Sequence, residues 1–594
     1  MNMHAGRLLA VSLMALRIFP ATPKPVKPKG PPLTAEQRAV QAQLKTMSLR
    51  DKVAQLVIVT ANGDVYSHTS PEFERYRHWV ADLHVGGIII NNASQYGLVR
   101  NAEPHVLALF LNQMQRLAKT PLLVASDFER AASMRVTGGT RFPHSMAFAA
   151  AGDPAAARYE GLIAAREARA LGILWIFAPV ADVNNNPLNP IINLRSYGED
   201  PEQVSRYVAA FIEGAHSDPA NRVLVTAKHF PGHGDTDIDS HLGLPRLEVP
   251  RERLDALELK PFEAAIAHGV DSIMTAHMAV PALEPSGMPA TVSHNVLTSL
   301  LRDELKFKGL IVTDAMTMQG LAMLFDSGEG SVRSIVAGAD VLLMPPDPDK
   351  AIRAVVGAVE DGRISRQRLE QSVARVLAAK LSLGLSNKKK LVNLDAISDV
   401  LDSPEAADKA QAVADHAVTL IRNDRDVLPL ASASRPCLIV ITERRISQFG
   451  QRTIQDFQRR APAGRVISLD TGLPLAALEA TAGDTATCSA IVAASFASVS
   501  ADLKDVKPFL VNLTQGHPPV VLLPFENPYL LTSVPNATAF LTTFSSSLPS
   551  EIAAVKALFG EVPISGHTPV SIPGFAQIGD GIQLAAASLK SQSR

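Results

Sequence analysis

Cysteine is almost missing from this chain: Cys437 and Cys488 are the only two. So small a number excludes a disulfide-stapled scaffold and a thiolate metal cluster. The pair could be bridged or both free, and sequence leaves that open. A surplus of charge is missing as well. Formal net charge is −1, and the one basic block, Lys388–Lys390, is too short to form an electrostatic footprint for nucleic acid. No apolar run reaches the ~20 residues of a membrane-spanning helix. Aromatic residues make up 5% of the chain, while apolar content overall is that of an ordinary globular protein.

The length, 594 residues, exceeds what one hydrophobic core organises and predicts two domains. Arg7 precedes a short apolar run, Leu8–Leu16, which Arg17 interrupts. This is a weak export signal without a clear cleavage site, and it favours an exported protein over a retained one. A Pro/Lys-rich stretch, Thr22–Leu33, follows as an extended linker. The organisation expected is leader and linker over residues 1–33, a first domain over 34–385, a second linker over 386–404 and a second domain over 405–594.

Within the first domain, eight short apolar runs end in small or polar residues: Val53–Thr60, Gly86–Ile90, Pro121–Ala125, Ile173–Val180, Val223–Ala227, Ser272–Ala276, Leu310–Thr313 and Val341–Met344. Helix-like segments such as Pro154–Leu171, Pro201–His216 and Leu254–His268 lie between them. Alternating strand and helix patterns predict a parallel sheet, and eight units predict closure into a (β/α)8 barrel, with an open doubly wound sheet as the rival. In such barrels the active site lies at the C-terminal strand ends. Those ends carry Asp127, Asp182, Lys228, His229, His277 and Asp314.

The densest chemistry is in KHFPGHGDTDIDSHLGLP, Lys228–Pro245, where three histidines and three aspartates share eighteen residues with five glycines and prolines. A packed core does not accommodate so many ionisable groups, because each costs free energy unless paired, whereas a site of proton transfer uses them. Asp239 and His241, two apart, would point the same way in an extended loop, and the carboxylate would orient the ring and stabilise its charged form. The plainer reading of that pair is a loop salt bridge. Asp314, directly after LIVT, would project into the barrel mouth as a nucleophile; the plainer reading is a helix N-cap. Lys228 and His229 are adjacent on a strand end that Pro231 and Gly232 make irregular, so both could meet sugar hydroxyls. The alternative for Lys228 is a buried pair with a core carboxylate. Arg135 and Arg195 offer planar forks, or else structural ion pairs with acids such as Glu129 or Glu199. His229 and His233 have the i, i+4 spacing of helical metal ligands, but Pro231 and Gly232 between them break the helix that would align them, so no metal is expected. No cofactor is expected either.

These residues resemble glycoside hydrolase family 3, and within it the bacterial β-N-acetylglucosaminidases. KHFPGHGDT followed by DSH carries the resemblance, together with APVADV through RSYGEDP (Ala178–Pro201), MTAHMAVPAL (Met274–Leu283) and IVTDAMTM (Ile311–Met318). SDFERAASMR departs from the family's usual acidic, glycine-paired segment, with Ala131 and Ala132 where the glycines are expected. The resemblance implies that Asp314 forms a covalent glycosyl-enzyme and that His241 is general acid and then base, with Asp239 as its partner. It further implies that Asp127, Arg195, Lys228 and His229 hold the sugar, and that Arg135 and His277 stand near that pocket. Relatives that take their acid from the second domain point to Glu526, in LLPFENPYLL, as the competing acid.

The second domain begins with a helix-like segment, Glu405–Leu420, followed by β-like runs at Cys437–Ile441, Arg465–Leu469, Ala490–Ala494, Val520–Leu523 and Ala539–Thr543. This predicts a smaller open α/β sheet. Three activities remain for the whole chain. The first is a retaining β-N-acetylhexosaminidase on cell-wall (peptidoglycan) or chitin fragments, where the acetamido preference comes from the resemblance alone. The second is a phosphorylase (or β-glucosidase) using the same residues. The third is a non-catalytic sugar binder, against which the complete Asp314, Asp239 and His241 set argues. The expected partner is a carbohydrate; oligomeric state is left open.

Overall fold

The computed structural model of the protein describes residues 33–95, 98–386, 390–483, 485–516 and 518–587. The expected leader and its linker up to residue 32 lie outside the described residues, as do residues 388 and 389 of the basic block.

Eight parallel strands form the first sheet: β1 (Val57–Ala61), β2 (Gly87–Ile90), β3 (Leu123–Ser126), β4 (Trp175–Ile176), β5 (Leu224–Phe230), β6 (Ser272–Thr275), β7 (Leu310–Thr313) and β8 (Leu342–Leu343). Their order is β8-β1-β2-β3-β4-β5-β6-β7. A parallel bridge from Val312 to Val341 links the two ends, so the sheet closes into a (β/α)8 barrel and not the open rival. The strands read as near-continuous apolar runs because helices cover one face and barrel-filling side chains the other. Helices α1 (Pro154–Leu171) and α2 (Pro201–His216) illustrate how sequence sets their limits. Asp153 and Asp200 cap them by accepting backbone N–H groups, proline stands in the first turn, and Gly172 ends α1 in the left-handed conformation.

Three expected elements differ. The run from Val53 splits: Val53 and Ala54 belong to a helix, Leu49–Ala54, whose start is capped by Ser48, and the strand begins only at Val57. A short apolar run carries no periodicity that separates a buried helix turn from a strand. The helix expected over Leu254–His268 is two, Arg251–Ala256 and Lys260–Ala267, with Pro261 in the first turn of the second. Proline starts helices but disrupts their interiors. The helix expected over Glu405–Leu420 is α3 (Pro404–Ala417), and the β-branched residues after it open β9 (Thr419–Asn423).

The second sheet holds β9, β10 (Cys437–Thr442), β11 (Arg465–Asp470), β12 (Ile491–Ser495), β13 (Val520–Pro524) and β14 (Ala539–Thr542) in the order β9-β14-β13-β12-β10-β11. Only β9 is antiparallel. Each face of this sheet carries its own apolar core. Cys437 and Cys488, left undecided above, form a disulfide between the start of β10 and the segment leading into β12. A further apolar cluster joins the two sheets' domains, with Met146 and Leu194 packed among Tyr529, Phe544 and Val570.

Barrel closure has an electrostatic clasp. Asp340, fully buried before β8, accepts from the backbone N–H of Ile311 at 3.1 Å and from Arg375 at 2.9 Å, and also binds Arg302 and Ser372. Removing the carboxylate leaves buried guanidinium groups unpaired. Asp340→Ala is therefore expected to lower the unfolding free energy by about 3–5 kcal/mol in a denaturant titration, because one partner of a buried charge pair is lost.

Candidate functional site

The C-terminal ends of β3, β4, β5 and β7 open into one cavity of about 340 Å³. Its floor is a cluster of buried charges. The Lys228 ammonium, on a side chain only 2% exposed, lies 2.8 Å from Asp127 Oδ1 and 2.6 Å from Glu129 Oε1. Arg195 grips Glu129 with two parallel hydrogen bonds, at 2.9 and 2.8 Å, and Arg135 binds Asp127 at 2.6 Å. Burial alone would raise both carboxyls, but the cations prevail. Lys228 and Arg135 hold Asp127 down to about 2, and Arg195 and Lys228 hold Glu129 well below its ordinary value. Burial opposes the charge on Lys228 too, and its two carboxylates nevertheless raise its pKa.

Asp182, after β4, pins the exit of β5. Its fully buried carboxylate accepts from the backbone N–H groups of His229 (3.1 Å) and His233 (2.7 Å), and its other oxygen meets His229 Nδ1 at 2.8 Å. The ladder between β5 and β6 shifts register between Ala227 and Phe230, and both Lys228 and His229 line the cavity. The segment after β5 is seated by close contacts. A Cβ on Gly234 would stand 1.7 Å from the carbonyl oxygen of Val183, so only glycine fits there. His233, buried, spends one ring nitrogen on Thr236 and the other on Ser240.

This anchored segment carries His241 to the cavity wall. Asp239 Oδ1 accepts from His241 Nδ1 at 2.7 Å and from its backbone N–H at 2.8 Å. The pair thus meets inside a tight turn, not in the extended loop expected, with the N–H groups of Leu242 and Gly243 returning to the Asp239 carbonyl. The His241 ring is 55% exposed, so its free nitrogen is open to a ligand. Asp314 lines the same cavity from the end of β7, with one oxygen accepting the N–H of Ala315 at 2.7 Å. Burial would raise its pKa, but His229, His277 and Lys228 lower it, so it is a carboxylate at neutral pH.

Of the expected site residues, Asp127, Arg135, Arg195, Lys228, His229, His241 and Asp314 line this one cavity, and Asp239 stands behind His241. His277 is a correction of position. It is fully buried and does not line the cavity; its Nδ1 meets Thr291 at 2.8 Å and its Nε2 the carbonyl of Ala315 at 3.1 Å, so it braces the backbone next to Asp314. The alternative partners of the arginines divide: Arg195 is paired with Glu129, but Arg135 pairs with Asp127, and Glu199 is taken by Ser571 of the second domain. Glu526 lies in an adjoining cavity with its carboxylate on Ser546. The residue sequence reasoning undervalued is Glu129, treated there only as a counter-ion. Its place two residues after Asp127, in the same polar segment beyond a strand, was the available signal. Among the described residues no group of three or more His, Cys, Asp or Glu has metal-holding geometry.

Comparison with known proteins gives the family and the fold. The model of the family described as "Glycosyl hydrolase family 3 N terminal domain" matches residues 48–379. A protein of Cellulomonas fimi named β-N-acetylglucosaminidase/β-glucosidase is 30% identical over 568 residues, which cover 89% of this chain and 95% of the relative. The solved structure of a glycoside hydrolase family 3 β-N-acetylglucosaminidase from Paenibacillus sp. str. FPU-7 superposes with a TM-score of 0.78 at 31% identity, over 89% of this chain and 99% of that one. A structure titled β-glucoside phosphorylase superposes with a TM-score of 0.77 at 25% identity, over 91% of this chain and 97% of the other.

Two outcomes test the cluster. Glu129→Gln removes the charge that holds Lys228 and Arg195, and is expected to lower kcat/KM about 100-fold through loss of sugar positioning, measured by steady-state kinetics. Acid is expected to weaken the fold. Burial keeps His233 from taking a proton until about 4, against 6.5 for a free ring, and Asp127 stays ionised to about 2, against 3.8. In both cases the unfolded chain binds protons first, so stability is complete above about pH 6.5 and is lost progressively towards pH 2. Denaturation midpoints should therefore fall in order at about pH 7, 5 and 3.

Proposed function

The chain belongs to glycoside hydrolase family 3 and is a glycoside hydrolase, and on that footing we propose that it is a retaining exo-β-N-acetylglucosaminidase acting on cell-wall or chitin fragments. The observation that carries the reading is the pairing, across one small cavity, of an ionised Asp314 with an imidazole that Asp239 orients. Resemblances over 89% of this chain, to a protein named β-N-acetylglucosaminidase/β-glucosidase and to a solved β-N-acetylglucosaminidase, support the sugar.

The reaction runs in two displacements. Asp314 attacks the anomeric carbon while His241 gives its proton to the glycosidic oxygen; the bond from that carbon to the leaving oxygen breaks and a glycosyl ester forms. Now neutral, His241 takes a proton from water, whose oxygen attacks the same carbon and releases Asp314. Asp239 stabilises the imidazolium present before the first step and again after the second. Asp127, Arg135, Arg195, Lys228 and His229 hold the sugar hydroxyls, with the cations' remaining donors turned to the ligand. The position of Glu526 outside the sugar cavity favours His241 as the acid.

A second reading, phosphorolysis, has one observation in its favour, the likeness to a structure titled β-glucoside phosphorylase. A neutral imidazole repels an anionic acceptor less than a carboxylate base would, so phosphate could replace water in the second step.

Aryl N-acetyl-β-glucosaminide is expected to be hydrolysed faster than aryl β-glucoside, with no sugar 1-phosphate formed when phosphate is added. A dominant sugar 1-phosphate product would favour the second reading. His241→Ala is expected to lose at least about 100-fold on glycosides with poor leaving groups and much less on activated aryl glycosides, because only the former need a proton. Equal losses on both would remove His241 from the acid role. A fluorosugar should label Asp314, and a label on another side chain would end the assignment.

A further inference from the structure

The second domain's sheet has a topological switch point. From β10 the chain passes outward to β11 on one side, then returns to β12 on the other. The segments leaving the C-terminal ends of β10 and β12 therefore diverge and leave a crevice, the usual ligand position in open α/β sheets. Here that crevice faces the barrel. It is a cavity of about 670 Å³, walled on the barrel side by Arg130, Met134 and Arg135 and on the other by Arg444, Phe449 and Glu526. Met134 and Arg135 also line the sugar cavity, so the two spaces are neighbours across shared side chains. A leaving group departing from the sugar has this space beside it.

Charge and shape give the crevice a preference. Arg130, partly buried, has no ion pair or side-chain hydrogen bond among the described residues, although it lines this crevice and the smaller cavity next to it. Most of the acids around it are engaged elsewhere; the exception, Glu160, is fully buried without a hydrogen-bond partner among the described residues, and burial pushes its carboxyl well above the ordinary value towards the neutral form. Glu129 is held by Arg195 and Lys228, and Glu443 accepts from the N–H and hydroxyl of Ser498 at 2.9 and 2.7 Å. Glu526 binds Ser546, and burial raises its pKa towards the neutral form. Arginine does not lose its proton in proteins, so a guanidinium in a crevice between domains is stabilised by an incoming anion. Beside it lies an aromatic platform. Phe449, 46% exposed, stacks in parallel on Phe496 at 6.1 Å, and Phe496 stacks on Phe525 at 4.2 Å. A ring fixed from behind in this way offers a flat apolar face for a sugar or aryl ring.

We propose that this crevice is the leaving-group site and that Arg130 makes it selective for a leaving group carrying a carboxylate, with Phe449 supporting its ring. The proposal rests on the N-acetylglucosaminidase reading above and adds the chemistry of the second half of the substrate.

The test uses two N-acetyl-β-glucosaminides, of 4-(carboxymethyl)phenol and of its methyl ester. The two leaving groups are matched in shape and nearly so in phenol acidity; they differ in charge. With the wild-type protein the acid is expected to show kcat/KM about tenfold above the ester, a preference that shrinks in high salt. Arg130→Gln is expected to bring the acid down to the ester's value, and Arg130→Lys, which keeps charge but not the planar fork, to restore part of the difference. Equal kcat/KM for acid and ester in the wild type would overturn the proposal without any variant. So would an Arg130→Gln enzyme that slows both substrates by the same factor. Hydrolysis of neither compound would instead overturn the N-acetylglucosaminidase reading, and the leaving-group assignment with it.

Discussion

A lysine ammonium sealed from water at the end of a barrel strand is the constraint to which the rest of the site answers. Lys228 would be costly to bury alone, and the fold compensates by bringing Asp127 from the end of β3 and Glu129 from the loop after it within 2.8 Å of the ammonium. Those carboxylates in turn require Arg135 and Arg195. Burial opposes the charge on Asp314, but His229, His277, the backbone N–H of Ala315 and Lys228 together keep it ionised. The charge state of Asp314, beyond β7, thus depends in part on a lysine that the end of β3 and the loop after it keep charged.

The same constraint explains the division of labour between elements. The paired charges of the cluster lie at and just beyond strand ends and are buried, whereas His241 sits on an exposed turn. His241 is nonetheless not loosely attached, because His233 and Ser240 tie the turn to the seat made by Asp182 and Asn189. The second domain closes over this face through polar contacts: Asn184 to Tyr529, His144 to Ser545 and Glu199 to Ser571. Such contacts hold the two domains together beside a crevice with charged and aromatic walls of its own.

Much of this was legible beforehand because it is periodic or local. The eight apolar runs, the helix-like segments starting at Pro154 and Pro201, and the cluster of ionisable residues after Ala227 each reflect a requirement that one segment must meet by itself. The errors fall where a short run has no periodicity of its own or where a side chain's partner lies far along the chain. Val53 and Ala54 are apolar enough for a strand, yet the capped turn from Ser48 makes them helical. His277 reads as one more polar group at a strand end, but its ring is spent on Thr291 and Ala315 behind the cavity. Glu129 reads as a counter-ion of an arginine and is that for Arg195, but it also pairs with the buried Lys228, which its own segment does not reveal.

The sequence by itself determined the parallel barrel, the second α/β sheet, the family and the segment richest in ionisable residues, because strand periodicity and the needs of unpaired charge are written locally. Tertiary structure alone decided which carboxylate meets which cation, the pairing of Cys437 with Cys488, and the exclusion of Glu526 from the cavity that Asp314 and His241 line. It also decided that Arg130 faces a crevice shared by two domains. Those outcomes depend on distances between residues tens to hundreds of positions apart, and burial turns small differences in such distances into the difference between a satisfied charge and an available one.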